Sequence, residues 1–114
     1  MNRADRDAAL IWDMLQAAND ISDFLADQSL QEFTADRMLC LAVERCLQIL
    51  GEAARHVSTA FQTRHTDIPW RRMIGMRNIL AHDYGEIDLR IIFDTASVEV
   101  PAVATMLAGL TAKS

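Results

Sequence analysis

Glycine and proline are scarce in this chain, with 4 Gly and 2 Pro in 114 residues. That excludes collagen-like and low-complexity disordered classes and argues against a loop-rich sandwich. Cysteine is equally sparse. Cys40 and Cys46 are six residues apart within a helical pattern, a spacing that points them about 120° apart and prevents a disulfide between them. No CxxC or HExxH spacing occurs, so no metal or cofactor is expected and the two thiols read as buried core residues. Long apolar runs are missing too, and none approaches the length that spans a bilayer. Asp5, Asp7 and Asp13 interrupt the N-terminal apolar residues where a leader would need continuity. The expectation is a cytoplasmic protein with no membrane contact.

What remains is ordinary globular material, 51% hydrophobic and 24% charged. It is enough for one domain over residues 1–114 that buries its own core. The net charge of −5 argues on its face against nucleic acid, but its distribution does not. Residues 1–54 hold four Arg against ten acids, and residues 83–114 hold two basic groups against five. Between them, residues 55–82 carry Arg55, Arg64, Arg71, Arg72 and Arg77 against Asp67 alone, together with all three histidines, His56, His65 and His82. An acidic body with one Arg/His-rich stretch suits a phosphate-bearing partner; equally, those arginines could form a solvated helix face.

Apolar periodicity predicts an all-α fold, an antiparallel four-helix bundle. The first helix covers about residues 5–26, with Ile11, Met14, Ala18, Ile21 and Leu25 in one stripe that Leu10, Ala17 and Phe24 widen. Residues 27–34 read as a connector. Thr34 would cap a second helix over residues 35–60, whose stripe is Leu39, Val43, Cys46, Leu50, Ala53 and Val57. Residues 61–67 read as a loop. A third helix is expected from Asp67 and Pro69 to about Tyr84, closed by Gly85. Asp88 would cap the last helix, with Leu89, Ile92, Ala96, Val100, Val103, Leu107 and Leu110 in phase and a kink at Pro101.

The stretch with chemical content is Arg77-Asn78-Ile79-Leu80-Ala81-His82-Asp83-Tyr84. Arginine offers a permanent charge and a planar donor fork for phosphate oxygens. Histidine exchanges protons near neutrality. Together they supply what RNA cleavage needs, because RNA brings its own 2′-OH nucleophile. On an ideal α-helix Arg77 and His82 diverge by about 140°, whereas Asn78 shares a face with His82 and Arg77 with Tyr84. Convergence of Arg77 and His82 then needs a frayed helix end or a second subunit. A surface ion pair and a helix-end histidine would account for the same two residues without chemistry.

Ile68-Pro69-Trp70-Arg71, Gly75-Met76-Arg77-Asn78, His82-Asp83-Tyr84 and Ile87-Asp88 follow one another in an order that resembles the HepT-like branch of the HEPN superfamily. Gly51-Glu52-Ala53 and Pro101 fit the same pattern. The resemblance implies a helical bundle that forms a homodimer with its two motif segments at a shared cleft. It implies a metal-independent endoribonuclease, the toxin of a type II/VII-like toxin–antitoxin pair, that cleaves RNA through 2′-OH attack. Arg77 and His82 would be catalytic and Asn78 a polar helper. An MNT-type nucleotidyltransferase antitoxin would silence the enzyme by moving AMP from ATP onto Tyr84. Glu52 matches a family position, and a buried hydrogen bond between helices is the expectation for it. Two other readings are a non-catalytic nucleotide- or RNA-binding module and a structural helical dimer whose motif is vestigial.

Overall fold

Asn2 starts the first helix by accepting a hydrogen bond from the Asp5 backbone N–H at 2.8 Å, an N-cap that satisfies one orphan donor. The computed structural model describes residues 2–80 and 88–112, and no strand occurs among them. The all-α expectation is met. Helix α1 (Arg3–Leu25) buries Ile11, Met14, Ala17, Ala18, Ile21 and Leu25, while Phe24 stays exposed.

Asp27 turns the chain with φ 62°, the left-handed conformation that Asp tolerates better than most residues. The expected connector then contains a short helix, α2 (Leu30–Ala35). It is held by a full capping box in which Ser29 accepts from Glu32 N–H and Glu32 accepts from Ser29 N–H. Its fully buried Phe33 sits 5.5 Å from the Phe93 ring.

Helix α3 (Arg37–His56) is capped by Asp36, not by Thr34, whose hydroxyl donates back to Gln31 C=O instead. Val43, Cys46, Leu50, Ala53 and Val57 are buried as the periodicity predicts. Both cysteines are free and buried, and Cys40 donates to Phe33 C=O. Burial pushes both thiols above their usual range.

The chain does not continue helically to residue 60. It breaks after His56, Ser58 caps a separate helix α4 (Thr59–Arg64), and the expected loop is mostly that helix. The break has a long-range cause. Asp7, only 3% exposed, accepts from the Ser58 backbone N–H at 2.9 Å and the Ser58 hydroxyl at 2.6 Å.

Helix α5 (Trp70–Gly75) follows Pro69, which itself takes the cap position with no side-chain cap, so Asp67 does not serve there. The Trp70 indole N–H donates to His65 C=O at 2.9 Å and fixes the entry. After Gly75 the backbone tightens into a 3₁₀ turn (Met76–Leu80). The expected end of this helix near Tyr84 lies outside the described residues.

Asp88 caps the last rod as predicted, accepting from Arg90 and Ile91 N–H. The rod comprises α6 (Leu89–Asp94), a π-helical turn (Thr95–Glu99) and α7 (Val100–Ala112). The irregularity expected at Pro101 is this π turn, just before the residue whose ring and missing N–H disturb the Ser97 carbonyl. Ile92, Ala96, Val100, Val103 and Leu107 are buried in one stripe. Contrary to the expectation of no bilayer-length segment, Leu89–Thr111 is one helix long and apolar enough to cross a membrane, and 33% of its most apolar window is buried.

Helix α1 packs on α3 and on the last rod, and α3 also carries α5 and its 3₁₀ extension. The Arg72 guanidinium ties α5 to Glu99 through two 2.5 Å bonds. Among the described residues three long elements form the frame and three short helices, α2, α4 and α5, fill the connections, rather than four regular helices. What matters for the site is that α3 supports the turn bearing Arg77.

Candidate active site

Gly51 sets how close that turn can come. A Cβ at position 51 would meet the Arg77 Cβ at 3.1 Å, and the Arg77 nitrogen and Met73 carbonyl oxygen each at 3.3 Å. Any side chain there would be in tight contact, and a glycine lets the turn lie this near without displacement. The next residue on α3, Glu52, then meets Arg77 directly, and the Arg77 Nη1 donates to Glu52 Oε1.

Glu52 is the centre of a cluster. Its second oxygen lies 3.9 Å from Arg55 Nε and 3.8 Å from His56 Nε2. The Arg77 hydrogen bond holds the Glu52 carboxyl below its ordinary range; desolvation opposes it, and the nearby Arg77, Arg55 and His56 add to the lowering. Its side chain is 46% exposed, so the buried interhelical bond expected for Glu52 is instead a half-exposed ion pair. The Arg77 Nε hydrogen is buried and has no acceptor among the described residues, so the guanidinium is not saturated.

Arg45, Gln48, Glu52, Arg77 and Asn78 line an open cleft of about 340 Å³. Arg45, Gln48 and Glu52 recur at three- and four-residue spacing and share the outer face of α3. A larger cavity, about 840 Å³, lies between α4 and α5 and is lined by residues such as Thr59, Thr66 and Arg71. Neither Arg77 nor Asn78 lines it, so the chemistry points to the smaller cleft. Among the described residues no group of three or more His, Cys, Asp or Glu side chains is placed to hold a metal ion.

Two of the four site residues named from the sequence, Arg77 and Asn78, thus lie together at one cleft. The other two, His82 and Tyr84, lie outside the described residues. Arg77 and Asn78 sit on a 3₁₀ turn rather than an α-helix, and the expected divergence of Arg77 from His82 lies outside the described residues. Sequence reasoning counted Arg55 and His56 in the Arg/His-rich stretch without joining them to Glu52, and it missed Arg45 altogether. The signal for Arg45 was its place on the polar face of α3, in phase with Gln48 and Glu52.

A family model described as Ribonuclease HepT-like matches residues 14–108. A protein of Methanocaldococcus jannaschii named "Putative RNase" is 37% identical over 83% of this chain and 87% of its own length. One of Thermococcus cleftensis named "Probable ribonuclease HepT" is 32% identical over 90% of this chain and 92% of its own. A further "Putative RNase", from Caldanaerobacter subterraneus subsp. tengcongensis, is 37% identical over 64% of this chain and 65% of its own. No solved structure matches the chain.

Proposed function

Because the chain belongs to the HepT-like ribonuclease family, we propose that it is a metal-independent endoribonuclease whose activity is held in check by modification of Tyr84. The observation that carries this reading is the placement of Arg77 and Asn78 at an open cleft, with the guanidinium oriented by Glu52. A fixed guanidinium is suited to hold a phosphodiester and to stabilise the charge that develops on it. In the proposed reaction the 2′-OH of RNA attacks the adjacent phosphorus. The bond to the 5′-oxygen breaks, and a 2′,3′-cyclic phosphate and a 5′-hydroxyl result. His82 acts as general base or acid for these proton transfers, Arg77 holds the scissile phosphate and Asn78 assists as a polar donor.

An RNase assay with purified protein in EDTA tests the reaction. Cleavage that persists in EDTA and falls ~10²–10⁴-fold in folded His82→Ala and Arg77→Ala supports it. Near-native cleavage by either variant removes that residue from the mechanism. Saturable RNA binding with no cleavage leaves the non-catalytic binding module.

The regulatory half of the proposal is a toxin–antitoxin pair in which an MNT-type nucleotidyltransferase transfers AMP from ATP to the Tyr84 hydroxyl, releasing pyrophosphate. Tyr84 is the chain's single tyrosine, seven residues beyond Arg77. A phosphate attached there would compete with RNA for the same guanidinium. Intact-mass analysis after co-expression should show one or more AMP units on the native protein and none on Tyr84→Phe. Modification at any other residue overturns the switch. We further place the active protein in the cytoplasm, as a homodimer. The exposed Met38 and Leu41 support the dimer, because they continue the α3 face that bears Arg45, Gln48 and Glu52.

A further inference from the structure

Glu52 does more than hold Arg77. Through the two oxygens of one carboxylate it gathers three nitrogen-bearing side chains, Arg77 on one and Arg55 and His56 on the other. The two sets differ in their remaining capacity. Arg77 donates a hydrogen bond to the carboxylate. Arg55 and His56 stand at 3.9 and 3.8 Å, beyond hydrogen-bond distance, and their side chains are 50% and 47% exposed. Neither donates a side-chain hydrogen bond to another described residue, so both keep their donors for an incoming acceptor.

The charge around them fits an anion. Arg45, Arg55 and Arg77 against Glu52 leave a net +2 with His56 neutral, and among the described residues no other acidic side chain lines the cleft. Half-exposed ion pairs of this length are worth little, so exchanging the carboxylate for a phosphate costs little. Arginine matches phosphate oxygens with a planar fork, and a protonated imidazole adds a further donor.

We propose that Arg55 and His56 form a second phosphate subsite beside Arg77, which takes the RNA phosphate flanking the scissile one. This rests on the ribonuclease reading for the identity of the strand. Glu52 is the positioning residue that sets the spacing of the two subsites, and the protein therefore prefers substrates carrying a phosphate beyond the cleaved bond.

The test uses a dinucleotide with a 2′-deoxy first sugar, which no 2′-OH reaction can cleave, with or without one terminal phosphate. Affinity is measured by calorimetry for both the 5′- and the 3′-phosphorylated forms. One of the two phosphates should tighten binding to the native protein roughly tenfold, the scale of one charge-assisted contact. Arg55→Ala should lose most of that gain, Arg55→Lys should keep part, and both should melt as folded proteins. Glu52→Gln should reduce the gain while leaving the fold intact. No gain from either phosphate in the native protein, or a full gain in Arg55→Ala, overturns the subsite. Because the ligand is not cleaved, a gain that depends on Arg55 stands even if the native protein fails to cleave RNA in EDTA. That separates the fate of this inference from that of the ribonuclease reading.

Discussion

At the scale of single residues, the site depends on a glycine as much as on its charged groups. A Cβ at position 51 would stand 3.1–3.3 Å from the Arg77 Cβ and backbone nitrogen, so the two segments approach closely beside the Arg77–Glu52 hydrogen bond. Replacing Gly51 by Ala has two opposed effects. Removing a helix-interior glycine favours folding by about 1 kcal/mol. The added methyl meets a backbone nitrogen, a backbone oxygen and a Cβ rather than the flexible end of a side chain, and overpacking of that kind costs about 1–3 kcal/mol. Overpacking should win. Gly51→Ala is expected to lower the urea midpoint by the equivalent of about 1 kcal/mol, with cleavage falling more than stability explains because Arg77 is displaced. A variant as stable and as active as the native protein would show that α3 and the 3₁₀ turn separate freely.

Among elements, the long helices were legible because each buries one periodic stripe, and periodicity is a property of sequence alone. The stripes of α1, α3 and the last rod mostly emerge buried, with Leu10, Leu39, Leu89 and Leu110 partly exposed and Phe24 exposed. Helices α2 and α4 were not read, since six residues are too few to display a period. Ser29 with Glu32 three residues on was nevertheless a visible capping-box signal for α2. Ser58 was the one local cap signal, and neither Gly nor Pro marks the break between α3 and α4. It is imposed by Asp7, 51 residues away, whose carboxylate takes both Ser58 donors. The 3₁₀ turn at Arg77 also went unread, since no Gly or Pro within Met76–Leu80 marks a change of winding. Asp7 therefore anchors an element boundary. Asp7→Ala leaves the Ser58 N–H and hydroxyl without their acceptor in a part-buried place, a loss of about 1–3 kcal/mol. Thermal unfolding should show a destabilisation of that size, larger than for an exposed control such as Asp13→Ala. Equal effects would demote the Asp7–Ser58 contact to a surface detail.

For the whole molecule, the decisive feature is that one face of α3 changes character along its length. Met38 is 79% exposed and Leu41 50%, and the same face continues through Arg45 and Gln48 to Glu52 and Arg77. Single exposed apolar residues are common and need no explanation. Two on the helical row that leads into a cationic cleft are a better fit to a covered surface, with apolar contact at one end and charge left free at the other. A second copy seated on Met38 and Leu41 about a two-fold axis would place two Arg77 clefts along one continuous surface. Arg45, Arg55 and Arg77 on that side would give RNA a local positive field on a chain that is acidic overall. Leu41→Asp puts a charge at the proposed contact without touching the buried stripe, since position 41 is exposed in the single chain. Its expected outcome is a folded protein whose light-scattering mass falls from twice 12.8 kDa to 12.8 kDa, with RNA cleavage reduced at least ~10-fold, the low end of what a misplaced catalytic group costs. A dimer that survives Leu41→Asp would move the interface elsewhere, and a monomer with native cleavage would show that one Arg77 cleft is sufficient.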